Sequence, residues 1–75
     1  DIFNEEELRK RGLNERQMKA VMYVKEKGKI TNREYQEINA VSNKTAFFEL
    51  SDLQKKDFLI TQGSGRSLIY TFKRR

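Results

Sequence analysis

The middle of the chain, residues 31–56, reads TNREYQEINAVSNKTAFFELSDLQKK and contains two helix starts. Thr31 and Glu34 have the spacing of a capping box, in which each side chain bonds to the backbone amide of the other residue. A short helix is therefore predicted over residues 32–38. After a tight connection, Ser42 is predicted to cap a longer helix that extends to the end of the segment. A short helix joined to a longer one by about four residues is a helix-turn-helix arrangement.

Two more helices are predicted on the amino-terminal side of this segment. The capping-box spacing recurs there, in Asn4 with Glu7 and in Asn14 with Gln17. A glycine follows each of these helices and accepts the left-handed conformation of many helix ends, so their predicted ranges are 5–11 and 15–27. The second helix carries an apolar stripe that is expected to face the core and consists of Met18, Ala20, Val21 and Val24. Met22 falls beside this stripe.

A β-hairpin is predicted after the helices. Two β-rich runs, FLITQ at 58–62 and LIYTF at 68–72, flank the glycine-bearing segment 63–67. Alternate residues of a strand share a face, so one face is expected to pack inward and to consist of Phe58, Ile60, Leu68, Tyr70 and Phe72. The tripeptide Lys29–Thr31 is long enough only for an edge strand. Together these elements predict an α+β fold, a winged helix-turn-helix in which the hairpin is the wing.

The composition limits the functions that this chain can have. Its 75 residues are enough for one small domain. It has no histidine and no cysteine, which excludes a disulfide scaffold, thiolate zinc sites and a cysteine nucleophile, and removes the usual general base. We therefore expect no catalytic residue, no metal and no cofactor in this domain. No apolar run approaches the roughly 20 residues of a membrane span, so a membrane partner is not expected.

The charge balance favours an acidic partner. The chain has 16 Lys and Arg residues against 11 Asp and Glu residues, a formal net charge of +5. A surplus of this size on so small a body favours nucleic acid first. The alternative interpretation is a solvated, lysine-rich surface without a specific partner.

Several segments resemble a known family. They are LNERQ at 13–17, KEKGKITNREY at 25–35, the pairs Val41–Ser42 and Thr45–Ala46, the loop GSGRS at 63–67, and Tyr70. Together they resemble the winged-helix domain at the C-terminus of Schlafen/AlbA-type ATP-binding proteins, often labelled RecG-related helicases or transcriptional regulators. The helix-turn-helix also resembles that of DeoR-type regulators. The resemblance implies that this domain binds double-stranded DNA, and that ATP binding resides in an N-terminal domain outside this sequence.

The resemblance and the sequence pattern suggest a domain organisation. We expect one winged-helix domain over residues 13–72, with a helical extension at 1–12 and a basic tail at 73–75. The chain starts at Asp1 rather than Met, which favours a C-terminal piece of a longer protein. ATPase or helicase activity is not expected in this domain. A cytoplasmic location is expected because the sequence carries no targeting signal.

The candidate DNA contacts lie at three places in this arrangement. The first residues of the longer helix can approach base edges, and the glycine-rich loop lets the backbone approach phosphates. Arg33 could clamp a phosphate, and Phe48 could contact a thymine methyl or stack on an unpaired base. The full set of candidate DNA-binding residues is Arg33, Asn43, Lys44, Thr45, Phe48, Ser64, Arg66, Ser67 and Lys73.

The longer helix departs from the family pattern and leaves a second function open. Where the family places Arg or Lys, this chain has Asn43, Lys44, Phe47 and Phe48. Asp57 stands in place of a helix-ending glycine, and the charges from Ser42 to Asp57 cancel, which predicts weak phosphate binding. One phenylalanine could complete the core, or both could join Met22 in a homodimer contact. The alternative function is therefore a protein-interaction or dimerisation module without direct DNA contact.

Overall fold

The computed structural model describes residues 4–72. Four helices come first and an antiparallel two-stranded hairpin follows them, so the predicted α+β class is confirmed. The elements are α1 (Glu5–Lys10), α2 (Glu15–Lys27), α3 (Asn32–Asn39), α4 (Asn43–Lys55), β1 (Leu59–Gln62) and β2 (Ile69–Phe72). A 3₁₀ turn over Gly65–Ser67 lies between the strands. The predicted helix ends agree with these bounds to within one residue.

Side-chain caps begin all four helices. In each helix the capping side chain accepts a hydrogen bond from the third helical amide, and the capping residues are Asn4, Asn14, Thr31 and Ser42. The reciprocal bond that completes a capping box is present for Asn14 with Gln17 and for Thr31 with Glu34. These local bonds satisfy backbone donors that a helix start otherwise leaves without partners. The residues that set the helix starts are therefore local in sequence.

The core joins the helices to one face of the hairpin. The predicted stripe of α2 is buried, and Tyr35 of α3 and Leu50 and Leu53 of α4 are fully buried against it. Leu8 of α1 is also fully buried, so the first helix is part of the same core. Phe47 and Phe48 keep 54% and 59% of their surface exposed, so neither completes the core.

The hairpin faces the core with four of the five predicted residues, Phe58, Leu68, Tyr70 and Phe72, and with Leu59 in place of Ile60. Cross-strand partners share a face, and Leu59 pairs with Phe72 while Ile60 pairs with Thr71. Leu59 is 1% exposed and Tyr70 is 3% exposed, so these two residues lie on the inward face. The expectation that Ile60 packs inward is wrong, because Leu59 faces the core and Ile60 lies with Thr71 on the other face of the hairpin. Phe58 and Leu59 are both buried although they are adjacent, and the residue before them, Asp57, has a left-handed φ of 64°.

A third stretch of chain pairs with the hairpin. Ile30 and Tyr70 form an isolated antiparallel bridge, with both backbone hydrogen bonds 2.8 Å long. The Thr71 hydroxyl donates to the Gly28 carbonyl at 2.9 Å. The predicted edge strand is therefore reduced to this single bridge, which fixes the hairpin beside the start of α3.

Glu49 of α4 joins three helices. Its half-buried carboxylate accepts hydrogen bonds from Asn14 (3.0 Å) and Arg16 (2.9 Å) at the start of α2, and from the Tyr35 hydroxyl of α3. The bond from Arg16 lowers the pKa of Glu49, whereas burial raises the pKa of Tyr35, so the carboxylate is charged and the phenol is its donor. Gln17, buried although polar, donates to the Glu49 carbonyl at 3.1 Å. Every member of this network is thus hydrogen-bonded.

At two helix ends, exchanging alanine and glycine is expected to change the free energy of unfolding in opposite directions. Ala40 ends α3 at φ 53°, whereas Gly28 ends α2 at φ 94° with open space where a Cβ would stand. A left-handed residue with a Cβ costs about 1–2 kcal/mol. We expect Ala40→Gly to raise the free energy of unfolding by about 0.5–1 kcal/mol after the backbone-entropy cost of glycine. Gly28→Ala should lower it, and urea denaturation measures both; equal signs would contradict this account.

The Glu49 network predicts a specific pH dependence of stability. Hydrogen bonding to Arg16 lowers the pKa of Glu49 in the folded state. The contribution of Glu49 to the free energy of unfolding is therefore fully present above its unfolded pKa of about 4.3. That contribution is lost as the pH falls through the lower folded pKa. We expect Glu49→Gln to be less stable than the wild type at pH 7, and the difference to narrow at acidic pH. Urea denaturation of both proteins across this range measures it; a constant difference would refute the assignment.

Candidate functional site

A groove of about 610 Å³ lies where the starts of α3 and α4 meet the hairpin loop. Its lining residues are Thr31, Asn32, Arg33, Gln36, Asn43, Gly65, Arg66, Leu68 and Tyr70. Three of the predicted DNA-binding residues, Arg33, Asn43 and Arg66, therefore share one concave surface. They come from three different elements, and the tertiary fold rather than sequence proximity brings them together.

The hairpin loop is held at this groove by its strands and by a tight turn. The bridge between Ile30 and Tyr70 fixes β2 next to the residue before the Thr31 cap. Gly63 has φ 81°, and a Cβ there would lie 2.6 Å from the Ser67 carbonyl oxygen, so no other residue fits without a backbone shift. The backbone at Gly63 thus lies directly against the backbone at Ser67. Its 3₁₀ turn then places Arg66 on the rim of the groove.

The lining of the groove is positively charged. It contains two arginines and no acidic residue, and the starts of two helices add the positive end of their dipoles. Arg66 is exposed and has no ion-pair partner among residues 4–72. Arg33 lies 3.6 Å from Glu37, one turn along α3, but both side chains are more than half exposed, so this pair is weak. The arrangement suits an anionic ligand.

The outer face of α4 is basic and aromatic. Lys44, Phe48 and Lys55 stand at i, i+4 and i+11 and therefore share one face of the helix, with Phe47 beside them. The Phe47 and Phe48 rings meet edge to face, with their centroids 6.2 Å apart and their planes inclined by 60°. Both rings are more than half exposed. This face is called the outer face of α4 below.

The acidic residues of α4 lie on its flank and are paired there. Glu49 is bonded to Arg16, and Asp52 accepts a hydrogen bond from Lys56 at 2.8 Å. That bond lowers the pKa of Asp52, which also accepts from Gln17. Although the charges of this helix segment cancel in the sequence, the structure separates them. Neither Lys44 nor Lys55 forms an ion pair with these acids within residues 4–72, although the charge of Lys55 also lowers the pKa of Asp52.

The remaining candidates lie apart from the groove. Thr45 stands two residues after Asn43, about 200° further around the helix, where its hydroxyl accepts from Ser42. Ser64 and Ser67 are exposed in the loop but do not line the groove. Lys73 lies outside the described residues.

Met22 is separate from the two phenylalanines. It is 43% exposed and lines a second cavity, together with residues of α1 and α2 and none of α4. The cavity that Met22 lines therefore contains neither phenylalanine, and it does not join the three side chains into one contact patch. Homodimerisation stays a prediction.

Sequence reasoning missed three residues of this surface. Asn32 and Gln36 line the groove, and the Gln36 amide donates to the Asn32 side-chain oxygen at 2.6 Å. Their i, i+4 spacing at the start of the first helix of the pair was the available signal. Lys55 falls on the outer face of α4, and its spacing from Lys44 was the signal there.

In the part of the chain that the structure describes, no cluster of acidic residues could hold a metal ion. No helix within residues 4–72 is long and apolar enough to cross a membrane. No protein-family model, no curated protein and no solved structure matches this chain. The resemblance to the Schlafen/AlbA-type domain therefore stays a prediction.

Proposed function

We propose that this chain is a winged helix-turn-helix domain that binds double-stranded DNA. The observation that carries the proposal is the acid-free groove in which Arg33, Asn43 and Arg66 meet. In this interpretation α3 and α4 are the helix-turn-helix pair and the hairpin is the wing. A transcriptional regulator or a helicase-related ATP-binding protein would contain such a domain, whereas catalysis is not assigned to it.

The dimensions and the charge of α4 support this proposal. Its 13 residues give a length of about 20 Å, and a helix fits the major groove of B-DNA. Lys44, in the first turn of α4, is exposed and has no ion-pair partner among the described residues. It is the residue of this helix best suited to contact a base edge, while Asn43 and Arg33 approach the adjacent phosphates.

The hairpin loop supplies a sequence-independent contact. Arg66 is an exposed cation on a loop whose glycines allow a close approach of the backbone. Arginine bonds phosphate oxygens through a planar fork of donors. Arg66 therefore contributes affinity without distinguishing one base sequence from another.

The first prediction for DNA binding concerns Arg66 and salt. We expect wild-type binding to a fluorescent duplex to weaken steeply with salt, because phosphate contacts release counterions. Arg66→Ala should weaken binding similarly on all sequences and reduce the log–log salt slope by about 1. Arg11→Ala, which removes an exposed arginine that does not line the groove, is the matched control. Undetectable binding at low salt by the folded domain would refute the proposal.

A second candidate function rests on the exposed aromatic pair. Two phenylalanines that are each more than half exposed on one helix favour contact with a protein, including a second copy of the chain. Direct DNA binding does not require self-association through these rings, and Phe47→Ser with Phe48→Ser should stay folded because neither ring is in the core. Sedimentation velocity and circular dichroism test both points. A wild-type dimer that the double variant abolishes would instead support the interaction module.

A further inference from the structure

The outer face of α4 combines two features that a major-groove helix does not need together. Its cations, Lys44 and Lys55, suit a phosphate backbone, whereas Phe47 and Phe48 expose two aromatic faces between them. In duplex DNA the neighbouring bases cover the faces of each base, and the major groove presents mostly polar edges. One ring can contact a thymine methyl, but placing both rings against those edges would remove polar groups from water without a hydrogen-bond partner, which is unfavourable.

The geometry of the two rings excludes consecutive stacked bases as their ligand. Bases in one strand of B-DNA are parallel and about 3.4 Å apart. The planes of Phe47 and Phe48 are inclined by 60°, and their centroids are 6.2 Å apart. Two bases that stack on these rings must therefore be splayed from one another. Such bases occur only where the strand is unpaired.

We infer that the outer face of α4 binds unpaired bases by stacking on Phe47 and Phe48, with Lys55 on a flanking phosphate and Lys44 at the end of the duplex. This inference rests on the proposed function, because it names the form of DNA that the same domain prefers. The groove with Arg33 and Arg66 and the first turn of α4 contact the duplex, and the following turns of α4 contact the single strand that continues from it. The partner is therefore DNA with a junction between paired and unpaired segments.

The charge complementarity of this face favours nucleic acid over a second copy of the chain. Glu49 and Asp52 lie on the flank of α4, where their side chains bond to Arg16 and Lys56, and neither forms an ion pair with Lys44 or Lys55 within residues 4–72. A self-contact through this face would bring Lys44 and Lys55 of two copies together, and like charges repel. A polyanion with exposed aromatic faces matches both the charge and the rings.

The test compares two extensions of one duplex. One probe carries a single-stranded oligothymidine tail, and the other is extended by the same number of base pairs, so that it has more phosphates. At one salt concentration, we expect the wild-type chain to bind the tailed probe several-fold more tightly by fluorescence anisotropy. Because the fully paired probe carries more charge, electrostatics alone predicts the opposite order.

Two double variants separate stacking from simple apolar contact. Phe47→Leu with Phe48→Leu keeps the apolar surface but removes the rings, and should lose about fivefold or more on the tailed probe for each stacked base. Phe47→Tyr with Phe48→Tyr keeps the rings and should retain the preference. Because both positions are exposed, circular dichroism should show the same fold for all three proteins.

The outcomes distinguish this inference from the proposed function. Equal binding to the two probes, or a preference that survives in the leucine variant, overturns stacking but leaves duplex binding in place. No binding to either probe overturns both proposals. A wild-type dimer that buries the two rings also overturns stacking, and sedimentation velocity of the same sample detects it.

Discussion

The carboxylate of Glu49 is the point on which the arrangement of three helices depends. It accepts bonds from the cap of α2, from Arg16 and from the buried hydroxyl of Tyr35. In a chain of this size the apolar core alone gives little orientational information, because hydrophobic packing is not directional. A half-buried charge that needs several donors is directional, since every donor must approach along a defined line. Together with the buried stripe of Ala46, Leu50 and Leu53, the network fixes how α4 is rotated about its own axis.

That rotation determines which surface the molecule offers to a partner. With Glu49 directed at α2 and Tyr35, the opposite side of α4 carries Lys44, the aromatic pair and Lys55. The same orientation places Asn43 at the groove with the hairpin loop. The internal network and the candidate interface are therefore two sides of one helix. Substitutions in the network therefore alter the position of the interface residues, although the network residues are not part of the interface.

Much of the fold could be predicted from the sequence, because its signals are local. Caps such as Thr31 and Ser42 determine helix starts within one turn, and the glycine-bearing loop separates two β-rich runs. The site could be predicted only in part. Arg33 and Arg66 were found from their positions near a helix start and a loop tip. That they share a groove depends on the bridge between Ile30 and Tyr70, which no local pattern encodes.

Two other features escaped sequence reasoning for tertiary reasons. Counting charges along α4 treats Glu49 as an anion of the interface, although its partner Arg16 lies on another helix. Periodicity alone left Phe47 and Phe48 at the edge of the apolar stripe, where burial depends on what packs beside them. Nothing in the described structure packs over them, so they are exposed. Both outcomes follow from contacts between residues distant in sequence.

The bridge between Ile30 and Tyr70 also has a consequence for cooperativity. Its two hydrogen bonds close a loop of chain that contains α3, α4 and β1, and hence the whole groove. Local opening events in proteins release contiguous units rather than single bonds. We therefore expect an opening of this bridge to separate Arg66 from Arg33 while α1 and α2 keep their contact with one another. Amide hydrogen exchange at Ile30 and Tyr70 therefore reports whether the binding surface is assembled, independently of whether the helices persist.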